Sequence, residues 1–320
     1  MLRAIGIALG LLFAVVGEPA RAIPQTKLSS QEVLVPFDPP LGQNLSYRWE
    51  KTDTKDGKTT MSWSLDRFRF EEAGEGYKLI VEPVSSGSNE TDPVKLQMMK
   101  RLEEMIRMPF VLRLNAEAEI VELERGDEYW AKIMAALREA LANRGGRPAV
   151  QEDRAIAGIM DMFQKMPAEA RLAKLTESVQ PLVEFAYTKT SVRSPIRAQV
   201  DTASPFGGTL KQDVVISLTK VEKGFAHLTV RMNVPREELL KLTAAMVSRL
   251  QNGVLDKDQV AKLNAGMAAL KEFQSETIAD YRISTEDGML ESFRSTQTIS
   301  VTEGDKKEQR VRTMSLTRVE

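Results

Sequence analysis

The sequence predicts an α+β protein: one long curved antiparallel sheet, or two such sheets, in a two-copy pseudo-repeat, with helices packed on one side and a central helical insertion. Three observations carry this. Apolar residues alternate at period two in several stretches, the pattern of half-buried strands. Residues 127–186 carry apolar residues at helical spacing instead. The same order of elements then recurs in two parts of the chain.

The N-terminal 22 residues read as a secretory signal peptide. Arg3 supplies the positive charge, Ala4 to Val16 is an uncharged apolar run, and Gly17-Glu18-Pro19 breaks it. Ala20 and Ala22 then place small residues where a signal peptidase requires them. The run is short for a permanent bilayer-spanning helix. No other stretch is long and apolar enough to span, so the mature chain is expected to be periplasmic or secreted.

Residues 23–41 contain Pro, Ser and Gln without periodicity and read as an extended lead-in. A first strand-and-helix half is expected over 42–126. Leu45, Tyr47 and Trp49 alternate with polar residues, as do Met61, Trp63 and Leu65 beyond Lys55-Asp56-Gly57. A three-residue loop there pairs Trp49 with Trp63; a two-residue loop sends Trp63 to the other face. Keeping the apolar residues together favours three, with Gly57 left-handed. Tyr77, Leu79 and Val81 form the next strand. Asp92-Pro93 starts a helix bearing Leu96, Met99, Leu102 and Ile106 on one face. Phe110, Leu112 and Leu114 lead through a turn to a strand at Glu119 to Leu123.

The helical segment, 127–187, divides into three. Asp127 to Asn143 carries Trp130, Ile133, Met134, Leu137 and Leu141. Gly145-Gly146 and Pro148 break the chain before a helix near Gln151 to Met166. Pro167 opens a third, through Leu172, Leu175, Val179 and Leu182. The second strand-and-helix half occupies 188–320. It opens on a polar stretch, 188–204, and strands return from Leu210.

Ile216-Ser217-Leu218 precedes Gly224-Phe225 as Phe68-Arg69-Phe70 precedes Gly76-Tyr77. A strand follows in each case, and Pro235 opens a helix as Pro93 does. Tyr281-Arg282-Ile283 turns to Met289-Leu290-Glu291 as Leu112-Arg113-Leu114 turns to Ile120-Val121-Glu122. These correspondences read as a pseudo-repeat. By this order of elements the chain resembles the half-barrel periplasmic proteins that carry lipoproteins or bind lipids, and uncharacterised exported Gram-negative proteins. The resemblance implies an envelope protein built on a curved sheet, and it carries no functional residue over.

Composition narrows the function. With 44 basic and 45 acidic residues, the chain lacks the excess of positive charge that a nucleic-acid partner needs. Zero cysteines exclude disulfides, thiol chemistry and thiolate metal sites. The single histidine, His227, shares a strand face with Thr229 and Arg231 and reads as solvated. The carboxylate pairs Glu71-Glu72, Glu103-Glu104, Glu237-Glu238 and Glu286-Asp287 lie in turns or on charged helix faces, where solvation accounts for them. Gly145-Gly146 and Gly207-Gly208 fit no phosphate loop. Fifteen methionines are the unusual count. Core packing explains them best, ahead of an adaptable binding surface and of Cu(I) ligation.

No cofactor and no catalytic residue is expected. The leading reading is a non-catalytic binding module whose apolar groove takes a lipid, another apolar ligand or a segment of an envelope protein. Tyr47, Trp49, Trp63, Tyr77 and Met99 are the candidate groove residues. The alternatives are an envelope assembly or scaffolding protein, and a hydrolase with an unread carboxylate site. A groove, a flat apolar patch, and buried carboxylates converging in a cleft would favour the three in turn.

Overall fold

The computed structural model describes residues 32–319, apart from positions 56, 162, 193 and 304–305 and most of 94–106, 143–159, 204–208 and 252–269. The segment read from the sequence as a signal peptide, with Ala20 and Ala22, lies outside the described residues, as do Met98 and Met105.

The fold is α+β and dominated by sheet. In chain order the elements begin with β1 (Glu32–Leu34), β2 (Asn44–Lys55), β3 (Lys58–Ala73), β4 (Gly76–Ser88), β5 (Phe110–Leu114) and β6 (Ile120–Leu123). Helices α1 (Gly126–Ala142) and α2 (Ala168–Thr176) follow, then a 3-10 turn at Gln180–Leu182. Next come β7 (Lys189–Ser191), β8 (Ile196–Ala203), β9 (Thr209–Glu222), β10 (Phe225–Val234) and α3 (Arg236–Gln251). The chain ends with β11 (Leu270–Ser284), β12 (Leu290–Glu303) and β13 (Lys306–Val319).

Eleven strands form one sheet in the order β6-β5-β4-β3-β2-β13-β12-β11-β10-β9-β8. All the pairings within it are antiparallel. The C-terminal strand β13 runs beside β2 and joins the two halves, so they share one sheet. β1 and β7 pair separately. The sheet is curved: Leu112 and Leu123, near one edge, belong to the same buried cluster as Val214 and Ile216, near the other. The order strand, Gly turn, strand, helical residues, hairpin occurs twice, but the closing hairpins differ. Strands β5 and β6 have 5 and 4 residues, whereas β11 and β12 have 15 and 14.

Inward positions follow from strand alternation. They include Leu45 and Tyr47 of β2, Phe68 and Phe70 of β3, Leu79 and Val81 of β4, Leu228 and Val230 of β10, and Leu316 of β13, all buried. Over this concave face lies a plug from the chain itself: Val179, Leu182, Val183 and Phe185, with Val35 and Phe37 of the lead-in. Leu172, Leu175 and Tyr129 bring α2 and α1 onto the same side. A smaller core joins Trp130 and Met134 of α1 to Met160 and Met166. These methionines pack as core.

Four expectations need correction. The register between β2 and β3 is not that of a three-residue loop: Lys55 faces Lys58, Trp49 faces Ser64, and Trp63 faces Glu50. Trp49 and Trp63 therefore point to opposite faces, although Gly57 does take a left-handed φ of 73°. The cause is Phe68 and Phe70. A Trp49–Trp63 register would have turned both outward, and they are among the most buried side chains in the chain, at 1% and 0% exposed. The third helix stops at Thr176, and Val179 and Leu182 belong to the plug instead. The lead-in is structural: Phe37 meets Phe70 edge-on at 5.7 Å and Tyr77 at 5.3 Å. The polar stretch after 188 contains β7 and the edge strand β8, whose Ile196, Ala198 and Val200 face inward while Arg197, Gln199 and Asp201 are exposed.

Candidate ligand-binding face

Strand β2 takes the concave face from apolar to charged. Tyr47 is fully buried and donates a 2.6 Å hydrogen bond to the Leu290 carbonyl. Burial holds its phenol far above the ordinary range. Trp49 is half-buried and stacks on Phe293 at 6.5 Å. Two residues on, with no bulge against either neighbour, Lys51 points the same way, and then Asp53. Their neighbours across the strands are Ser62 and Met314 for Lys51, and Thr60 and Arg312 for Asp53.

Asp53 accepts hydrogen bonds from Arg310 Nε at 2.7 Å and from Arg312 Nε at 3.1 Å, and Arg310 closes a second contact through Nη2. Burial opposes ionisation of this carboxyl, but the two guanidiniums outweigh it and hold its pKa below the usual range. From above, Lys174 of α2 pairs with Glu177 at 2.5 Å. Glu177 in turn acts electrostatically on both Lys51 and Arg312. Lys51, Lys174, Arg310 and Arg312 thus meet two carboxylates, Asp53 and Glu177. Burial pulls the pKa of Lys51 down, more than Glu177 raises it.

Two other carboxyls on this side have raised pKa values. Burial lifts Asp66, against a 2.8 Å hydrogen bond from Ser64 and the charge of Arg107. Burial lifts Glu184 to about 7, against a 2.5 Å hydrogen bond from Tyr281. They do not converge. Asp66 lies on β3, and Glu184 meets β11, with β2, β13 and β12 between those strands.

Of the candidate groove residues, the fold brings together only Tyr47 and Trp49. Trp63 sits on the convex face under the Arg48 guanidinium, 4.6 Å from its ring. Tyr77 is half-buried beside Phe37 and Tyr187, at a different part of the concave side. Met99 is helical and half-buried. His227 faces outward on β10, its pKa lowered by partial burial and by Lys220 and Arg282. Glu71 and Glu238 engage Arg69 and Lys241 in ion pairs. Among the described residues, no group of three or more His, Cys, Asp or Glu side chains could hold a metal ion.

The charged cluster escaped the sequence reading because Asp53 and its partner Arg310 lie 257 residues apart in the chain. One signal was available. The alternation that puts Tyr47 and Trp49 inside continues to Lys51 and Asp53, and charges on a core-facing register are uncommon without a partner or a ligand.

No family model matches the chain, and comparison with curated proteins finds no match. Among the described residues, no helix is long and apolar enough to cross a membrane.

Proposed function

We propose that this is an exported, non-catalytic binding protein of the cell envelope. It would hold an apolar ligand, or an apolar segment of a partner, against the concave face of its sheet. The observation that carries this reading is the sheet itself. Among the described residues its eleven strands end in two edges, β6 and β8, which do not pair with each other. An open curved sheet encloses space that its own strands cannot fill. Here loops and helices, rather than further strands, occupy the interior. Strands longer than ordinary give the concave face its depth: β3 has 16 residues and β11 has 15.

Arg3, the apolar run to Val16, and Ala20 and Ala22 support export. The recurring order of elements supports the doubled half-barrel plan that the sequence suggested, and a duplication is part of this proposal. The hydrolase reading is weaker because the carboxyls with raised pKa, Asp66 and Glu184, stand on separated strands rather than across one bond. A scaffolding role is the second reading, and the convex face is its candidate surface.

Native mass spectrometry of protein purified from the periplasm tests the proposal. The expected result is a mature N-terminus at Ile23 and a co-purifying lipid-like mass. A protein that reaches the periplasm empty, and takes up no fatty acid or phospholipid when offered one, would refute ligand binding. An intact Met1 on soluble cytoplasmic protein would refute export.

A further inference from the structure

The charged cluster deepens that reading and rests on it for the apolar part of the ligand. Lys51 is a half-buried ammonium on the concave face. It makes no hydrogen bond and no ion pair among the described residues, while the carboxylates near it are taken. Asp53 is clamped by Arg310 and Arg312, and Glu177 by Lys174. The side chains around it are well shielded yet not sealed off, from 11% exposed at Arg312 to 31% at Lys174. Asp53 and Glu177 act on Lys51 only at a distance and are each engaged by another cation, so burying this ammonium is costly. One more anion would balance Lys51 directly.

We propose that Lys51, supported by Arg312 and Lys174, anchors an anionic oxygen group, a carboxylate or a phosphate, on the concave face. Trp49 lies two residues away on the same strand face and gives an apolar substituent on that anion a ring to lie against. The ligand is then an amphiphile with an acidic head. The same head chemistry also occurs in free inorganic phosphate.

Isothermal titration of the lipid-stripped protein with laurate, 1-dodecanol and inorganic phosphate separates the sources. Laurate is expected to bind and 1-dodecanol, which has the same tail without the charge, to bind at least about tenfold more weakly. Lys51→Met should lose about tenfold or more in laurate affinity, and Lys51→Arg should retain most of it. The Lys51→Met melting temperature should not fall, because that change removes a poorly compensated charge. Binding of phosphate without laurate would keep the anchor and overturn the apolar-ligand reading. Equal binding of laurate and 1-dodecanol, unaffected by Lys51→Met, would overturn the anchor and keep the apolar-ligand reading. If none of the three binds, the anchor is wrong. A lower melting temperature for Lys51→Met with unchanged laurate affinity would make Lys51 structural and also overturn it.

Discussion

Glu184 is an acid whose surroundings delay its ionisation into the near-neutral range. It sits on the plug and meets the buried Tyr281, and burial raises its pKa from 4.5 to about 7. An unfolded chain releases this proton near 4.5, whereas the folded chain keeps it until about 7. Between those values the folded state binds the extra proton, so stability falls as pH rises through that window and levels off above it. The size is on the order of 2–3 kcal/mol for one group. Urea unfolding at pH 5 and pH 7.5 should show the loss, and Glu184→Gln should remove most of it. A Glu184→Gln protein with the same pH slope would assign the effect elsewhere. Trp63 makes the complementary point at the same scale. It is large and aromatic, yet it lies on the convex face, where a Cβ added at Gly87 would come within 2.8 Å of its Nε1. Trp63→Ala should therefore cost roughly 1–2 kcal/mol, less than a core aromatic, and leave ligand affinity unchanged. Loss of ligand on Trp63→Ala would mean that the binding face had been placed on the wrong side of the sheet.

At the scale of elements, the lead-in shows how a segment without periodicity can still be core. Asp38 N–H donates to the Asp287 carbonyl, and Val35 N–H to that of Thr188. The β11–β12 turn makes room for it with Gly288, at φ 75°, where an added Cβ would lie 1.8 Å from the Pro36 carbonyl oxygen. Gly288→Ala should lift the lead-in off its seat and cost about 2 kcal/mol or more. Amide exchange at Val35 and Asp38 would report it; unchanged protection there would refute the docking argument. Local pattern recovered β2, β4 and α1 through their inward residues: Leu45 and Tyr47, Leu79 and Val81, and Trp130 and Met134 are all buried. It failed in β3 because the phase changes within the strand. Met61, Trp63 and Leu65 follow one set of alternate positions and Phe68 and Phe70 the other, and burial decides which set faces in. It also failed where apolar spacing looked helical but the residues pack individually, as Val179 and Leu182 do in the plug. The polar rim of β8 hid an edge strand, since such strands carry exposed charge that discourages pairing with other chains.

For the molecule as a whole, the deciding element is β13, the strand furthest from β2 in the chain yet beside it in the sheet. Each of its residues from Arg310 to Val319 faces one on β2, and those from Lys306 to Thr317 face β12. Without it, β2–β6 and β8–β12 would be separate sheets, the concave face would be cut beside Trp49, and Asp53 would lose both arginines. The sequence left the choice between one sheet and two open, because pairing across the chain leaves no periodic trace. A proline at Ser315 tests this whole-molecule role without disturbing the core. Ser315 is half-buried, opposite Glu50 on one side and Arg294 on the other, on the outward register. Proline there removes a backbone donor from a central strand and clashes with the ladder, at a cost of about 3 kcal/mol or more. The expected outcomes are a single transition for the wild-type protein and, for Ser315→Pro, a large drop in the denaturation midpoint with separate transitions for the two halves. Amide exchange in β3 would report the N-terminal half and amide exchange in β10 the other. If Ser315→Pro unfolds cooperatively at the wild-type midpoint, β13 is not the seam, and the continuous concave face assigned to ligand binding loses its foundation.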